Sequence, residues 1–202
     1  MTRYKKSTKG SFEIICGSMF SGKSEELIRR VKRAQIAQLT TLVFKHSLDD
    51  RTTVEYIHAH GGDKLQAIAI DQASQMRELV FDEVEVVGID EVQFFHTEVI
   101  EVILELVDQG KRVIAAGLDL DFRGLPFGPM ASLLALADHV TKLKAVCISC
   151  GSDAHYTQRL VNGKPAKFTD PVIFIGAEEC YQARCRDCYL IDRKPHFIHG
   201  QK

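Results

Sequence analysis

The sequence predicts an α/β fold built on a parallel sheet, followed by a small metal-stapled module. Three observations carry that prediction. Apolar β-favouring runs alternate with amphipathic helical stretches from residue 11 to about 146, the pattern of a sheet covered on both faces by helices. Between the first run and the first helix stands Gly17-Ser18-Met19-Phe20-Ser21-Gly22-Lys23-Ser24, which satisfies Gly-x-x-x-x-Gly-Lys-Ser at every fixed position. Two Cys-x-x-Cys pairs, Cys147/Cys150 and Cys185/Cys188, mark the C-terminal part.

Ser11–Cys16 reads as a buried strand, and Lys23 to Ala37, with Leu27, Val31 and Ala34 at helical spacing, as the helix after it. A strand, a glycine-bearing turn and a helix aim main-chain N–H groups and a helix N-terminus at an anion. Gly17 and Gly22 admit the tight turn, Lys23 brings a charge to the outer phosphates, and the Ser24 hydroxyl suits Mg²⁺.

Thr41 to Lys45 is the second strand. His46 to Gly62, polar and charged, reads as a long loop at the mouth of the phosphate site. Asp49, Asp50 and Arg51 sit within it, and the arginine could clamp a phosphate bidentately or simply form a surface ion pair. Leu65 to Ile70 is a short strand, and Asp71 is placed to cap a helix through Met76, Leu79 and Val80. Val84 to Ile89 is a strand ending in Asp90-Glu91. An apolar strand ending in acid suits the metal side of an ATPase-type site, with Asp90 facing Mg²⁺ and Glu91 accepting a proton from an attacking hydroxyl or water. Phe94 and Phe95, after Gln93, line either a base-sized pocket or the core.

Thr97 caps a helix with Val99, Ile103, Leu106 and Val107 on its apolar face and Gly110 at its end. Lys111 to Ala116 is a strand. Gly117 to Pro129 holds too much Gly and Pro for regular structure, and it leaves the carboxyl end of a strand, where such sheets bind ligands. Leu118, Phe122 and Phe127 are candidates for a pocket wall there. Pro129 to His139 reads as a helix and Val140 to Val146 as the last strand of this domain.

Four thiolates in two knuckles give a closed tetrahedral zinc site, structural more readily than catalytic; a redox pair is the alternative. Asn162-Gly163 reads as a hairpin turn. Thr169 to Tyr181 carries the apolar run Val172-Ile173-Phe174-Ile175 and is either a lid footed on the metal or a plain hairpin. Cys16 reads as core, and Cys180 has no assigned role.

Net charge is −1, which gives no electrostatic footprint for a nucleic-acid polymer. The sequence shows neither an eighteen-residue apolar run nor an apolar signal core, so the default expectation is a cytoplasmic protein without membrane contact. The expected organisation is a flexible tail at 1–10, an α/β domain at 11–146, a zinc module at 147–194 and a flexible tail at 195–202.

Together the Met19–Ser24 loop, Asp90-Glu91-x-Gln93-Phe94-Phe95 and the paired knuckles resemble the zinc-containing, cytosolic-type (type II) thymidine kinases, from about Ser11 to Tyr189. The resemblance implies a RecA-like P-loop domain that binds ATP and a small zinc domain carrying a lasso loop over thymidine. It implies that Glu91 is the base acting on the 5′-hydroxyl. Residues 17–24 with Asp49, Arg51, Asp90 and Gln93 would serve ATP and Mg²⁺. Met19, Leu118, Phe122, Phe127, Thr157 and Tyr181 would surround the nucleoside. Val172, Ile173, Phe174, Ile175 and Gly176 would read the thymine edge through their backbone. Thymidine or deoxyuridine as substrate, dTTP as feedback inhibitor, nucleotide salvage for DNA synthesis and a homotetramer are carried over in the same way. Ser18, Glu25 and Val92 depart from the residues common in that family, and none of the three removes a chemical group from the expected site.

Overall fold

A computed structural model describes residues 10–48, 56–58, 64–173 and 179–192. Asp49, Arg51, Phe174, Ile175, Gly176 and both terminal tails lie outside these residues. Among the described residues a six-stranded sheet forms from β1 (Ser11–Cys16), β2 (Thr41–His46), β5 (Ile68–Ile70), β6 (Val86–Asp90), β7 (Arg112–Gly117) and β8 (His139–Lys142), in the order β5-β2-β6-β7-β1-β8. Every pairing is parallel. All strand C-termini therefore open on one edge.

Period-two alternation sends the strand side chains into two apolar layers. Phe12, Ile14, Val87, Ile89, Val113 and Ala115 join α2 (Gln75–Leu79), α3 (Glu98–Asp108) and α4 (Met130–Leu136) on one face. Ile15, Val43, Val86, Ile114 and Ala116 join Leu27, Ile28, Val31 and Ala34 of α1 (Lys23–Ile36) on the other. The face of α1 read from helical spacing is the buried one.

Several boundaries differ from the sequence reading. Within His46–Gly62, expected as loop, β3 (Tyr56–His58) is a strand paired antiparallel with β4 (Lys64–Gln66). Burial of Ile57 and Leu65 against α1 holds that hairpin on the sheet's flank. The expected strand Leu65–Ile70 is divided: β4 serves the hairpin, and β5 adds to the sheet edge. Asp71 does not cap α2: its carboxylate accepts the Ser47 hydroxyl, and Gln75 Oε1 takes the Asp71 and Gln72 N–H groups at 3.0 Å each. Thr97 stands at the cap position of α3 but makes no side-chain capping bond. Helix α4 is shorter than Pro129–His139, because Asp138 turns back to accept the Phe12 N–H at 2.8 Å and the chain enters β8.

Beyond Lys142 the expected single strand also divides. β9 (Ala145–Val146) pairs with β10 (Asp153–Ala154), while β11 (Tyr156–Val161), β12 (Lys164–Pro165) and β13 (Glu179–Arg184) form a second small antiparallel sheet. Asn162 and Gly163, at φ 50° and 73°, make the anticipated turn between β11 and β12. No helix among the described residues is long and apolar enough to cross a membrane.

Candidate active site

The phosphate loop leaves β1 and enters α1 through Gly22, at φ 85° and ψ 25°. This left-handed conformation is one that only glycine adopts without strain. At Gly17 the constraint is space as well as φ (150°): a Cβ would lie 2.5 Å from the Leu143 carbonyl oxygen and 2.7 Å from Ser21 Oγ. Lys23 Nζ donates to the Ser18 carbonyl oxygen at 3.0 Å, so the loop's cation is folded back over the loop it serves.

Two strands away, β6 delivers the acidic pair. Ser24 Oγ donates to Asp90 Oδ2 at 3.0 Å, joining the loop's hydroxyl to the carboxylate expected beside Mg²⁺. Asp90 is 3% exposed. Burial, and then the charge of Glu91, push its carboxyl up to about 7, against the opposing pull of the Glu91 N–H, Ser24 and Lys23. A buried carboxylate facing a hydroxyl, with its charge disfavoured by its surroundings, is a donor set that a divalent cation completes.

Glu91 departs from the strand direction. Its backbone is left-handed, at φ 51° and ψ 40°, an arrangement that costs a non-glycine residue about 1 kcal/mol or more. The Glu91 N–H donates to Asp90 Oδ1 at 3.0 Å, which steadies the turn. Its carboxylate receives Gln93 Nε2 at 2.5 Å, and Gln93 Oε1 accepts the Leu118 N–H at 3.0 Å. Gln93, expected with the nucleotide-binding residues, thus spends both ends of its amide between Glu91 and the start of the 117–129 loop.

That loop has no named strand or helix, as its Gly and Pro content requires. Leu118 is half-buried and Phe122 is buried. Phe127 meets Phe94 edge-on, with ring centroids 5.6 Å apart. Phe94 therefore reaches the 117–129 loop, whereas Phe95 belongs to the core and packs on His46 at 4.7 Å. Burial lowers the His46 pKa.

The second module closes on the same region. Thr157 Oγ1 accepts the Met19 N–H at 3.0 Å, and Ser18 Oγ donates to the Ala154 carbonyl oxygen at 3.4 Å. Two of the loop's residues are thereby held by strands that follow the first knuckle. Tyr181 lies in β13, in register with Arg159 of β11. Val172 is half-buried and Ile173 is 44% exposed, in the segment expected to be a lid or a hairpin.

The knuckles meet as expected. The Sγ atoms of Cys147, Cys150, Cys185 and Cys188 all lie within 4.8 Å of one another, and Cys150 and Cys185 are 3.6 Å apart. Tetrahedral zinc with sulfur at about 2.3 Å needs S···S edges near 3.8 Å, so the cluster fits that ion. Main-chain hydrogen bonding from Cys185, with further N–H groups of the first knuckle, lowers the Cys147 pKa to about 6, whereas hydrogen bonding with Cys185 and Cys150 raises that of Cys188 to about 12. Cys16 is buried, as expected, and burial with the charge of Asp119 raises its thiol to about 11.

Sequence reasoning missed three residues. Arg159 is only 1% exposed, and Lys45 is equally buried in register with Asp90, its Nζ donating to the Tyr56 carbonyl oxygen at 3.2 Å. Tyr189 Oη donates to the Phe122 carbonyl oxygen at 2.5 Å and stacks on Tyr156 at 4.5 Å. The position of Tyr189 directly after the last knuckle was the only signal available for it.

A phosphate loop joined through its serine to the acid of a nearby strand, with a second carboxylate turned out beside it, defines a P-loop phosphoryl-transfer protein. The family model for thymidine kinase matches residues 10–189, a span that takes in the loop, both acids and both knuckles. The chain belongs to the thymidine kinase family, and its activity is the phosphorylation of thymidine.

Proposed function

We propose that the enzyme transfers the γ-phosphoryl group of ATP to the 5′-hydroxyl of thymidine or deoxyuridine, giving the nucleoside 5′-monophosphate and ADP for nucleotide salvage. The observation that carries this reading is the 3.0 Å bond between Ser24 and Asp90, with Glu91 turned out by its left-handed backbone immediately beside it. In this reading residues 17–24 grip the triphosphate, with Asp49 and Arg51 assisting from the segment after β2. Ser24 and Asp90 would hold Mg²⁺, which neutralises charge on the phosphates when bound.

Glu91 takes the proton of the 5′-hydroxyl as that oxygen bonds to the γ-phosphorus and ADP leaves in line. Gln93 orients Glu91. Met19, Leu118, Phe122, Phe127, Thr157 and Tyr181 surround the nucleoside, and the backbone of Val172, Ile173 and residues 174–176 reads the base edge. A closed four-sulfur site has no position for substrate, so zinc acts structurally, as the foot of the lid.

A boundary between the domains near residue 146, a cytoplasmic homotetramer and inhibition by dTTP belong to the same reading. The near-neutral charge supports a nucleoside over a nucleic-acid polymer as partner. A nucleoside panel with ATP and Mg²⁺, read as monophosphate formed, tests it. Thymidine and deoxyuridine should turn over with stoichiometric ADP and with an absolute requirement for a divalent cation. Nucleoside-independent ADP release at the same rate would contradict the reading.

A further inference from the structure

Arg159 is the largest side chain in the fully buried set, at 1% exposure. A buried guanidinium is costly unless it is paired and hydrogen-bonded. Its partners come from three separated parts of the chain. The guanidinium carbon lies 3.7 Å from the centroid of the Phe122 ring, in the loop after β7. Nη1 donates to the Pro171 carbonyl oxygen at 2.7 Å, and Nη2 stands 3.9 Å from Asp170 Oδ2, both at the start of the 169–181 segment and just before Val172. Across the β11–β13 ladder its register partner is Tyr181, at the lid's far end. One planar cation thus touches a pocket wall on its face and the lid's root on its edge, and is paired in the sheet with the lid's return strand.

We propose that Arg159 is a positioning residue for nucleoside binding, which sets Phe122 and the Asp170-Pro171 stretch leading into Val172 and Ile173 at a fixed separation. The inference rests on the reading that Phe122, Val172 and Ile173 line the nucleoside site. The planar guanidinium is what the role demands: such a group can lie over an aromatic face while its N–H groups donate to other partners, which an ammonium cannot do as well. The contacts of Arg159 with Phe122, Pro171 and Asp170 lie on the side of the proposed nucleoside pocket, so its effect falls on nucleoside binding more than on ATP.

The test compares Arg159→Lys, Arg159→Met and Phe122→Leu with wild type in the full-length, zinc-loaded enzyme. Thymidine KM, ATP KM and kcat are measured alongside zinc content and thermal midpoint. Loss of a desolvated cation–π contact and of a charged hydrogen bond should raise thymidine KM by about tenfold or more in Arg159→Met. Arg159→Lys should fall between it and wild type, and ATP KM should stay within about twofold throughout. Arg159→Lys keeps the charge and carries the test if Arg159→Met fails to fold. Unchanged thymidine KM in Arg159→Lys, or a parallel rise in both KM values, overturns the proposal. A rise with Phe122→Leu but not with the Arg159 variants refutes the role of Arg159 alone, whereas no rise in any variant refutes the nucleoside-site reading as well.

Discussion

Replacing Gln93 by leucine removes one buried amide of nearly the same shape, and the structure says what that amide supports. Its Nε2 donates to Glu91 Oε2 at 2.5 Å, and its Oε1 accepts the Leu118 N–H at 3.0 Å. A hydrogen bond to a charged group at a buried site contributes about 1.5–3 kcal/mol. If that energy holds the Glu91 carboxylate on the line of proton transfer, its loss lowers kcat between roughly tenfold and 150-fold at 1.4 kcal/mol per decade. The second bond acts elsewhere: an unpaired Leu118 N–H costs about 1–3 kcal/mol and loosens the start of the pocket wall, so thymidine KM rises too. ATP KM should not move, since Gln93 makes no bond to the phosphate loop. Steady-state ADP release at saturating MgATP, with thymidine varied, separates these effects. A folded Gln93→Leu enzyme with kcat within threefold of wild type would refute the argument that this amide orients Glu91.

Two further outcomes follow from the same structure. Glu13 is buried between Arg30 Nη1 at 2.7 Å and Arg112 Nε at 2.6 Å, and although burial alone would raise its pKa, the two arginines outweigh it and hold the carboxyl below its ordinary 4.5. A depressed folded-state pKa contributes stability above pH 4.5 that is lost as pH falls through the folded value. Glu13→Gln should therefore cost about 1–2 kcal/mol near pH 7, after allowance for partial solvent screening, and progressively less as pH falls below 4.5; denaturant midpoints across that range check the sign. Zinc removal should free the knuckle that precedes Tyr189 and so release the Phe122 carbonyl, raising thymidine KM before the α/β core unfolds. A metal-free sample with unchanged kinetics would contradict this.

The parallel sheet was legible because its strands are buried on both faces and read as unbroken apolar runs, as in Phe12–Cys16 and Val86–Ile89. The phosphate loop, the acid at the end of β6 and the knuckles were legible because their chemistry fixes residue type at fixed spacing. What escaped has physical causes. In β11 the four residues from Tyr156 to Arg159 are all buried, so no alternation distinguishes a polar partner from a core position, and Arg159 drew no assignment. The β3–β4 hairpin rests on Ile57 and Leu65, single apolar residues in polar surroundings, too short a pattern for a periodicity argument. Asp71 resembled a helix cap, but a nearby serine hydroxyl competed for its carboxylate. The left-handed turn at Glu91 has no sequence signal, since a local propensity would have placed glycine or asparagine there.

The central claim is that Glu91 readies the nucleoside hydroxyl beside a phosphate chain gripped by the loop. Single-turnover phosphorylation of thymidine by Glu91→Gln, with ATP affinity measured on the same preparation, tests it most directly. The account predicts a rate lowered by roughly 10²–10⁴-fold with ATP binding intact. A Glu91→Gln enzyme that phosphorylates thymidine at close to the wild-type rate would contradict it.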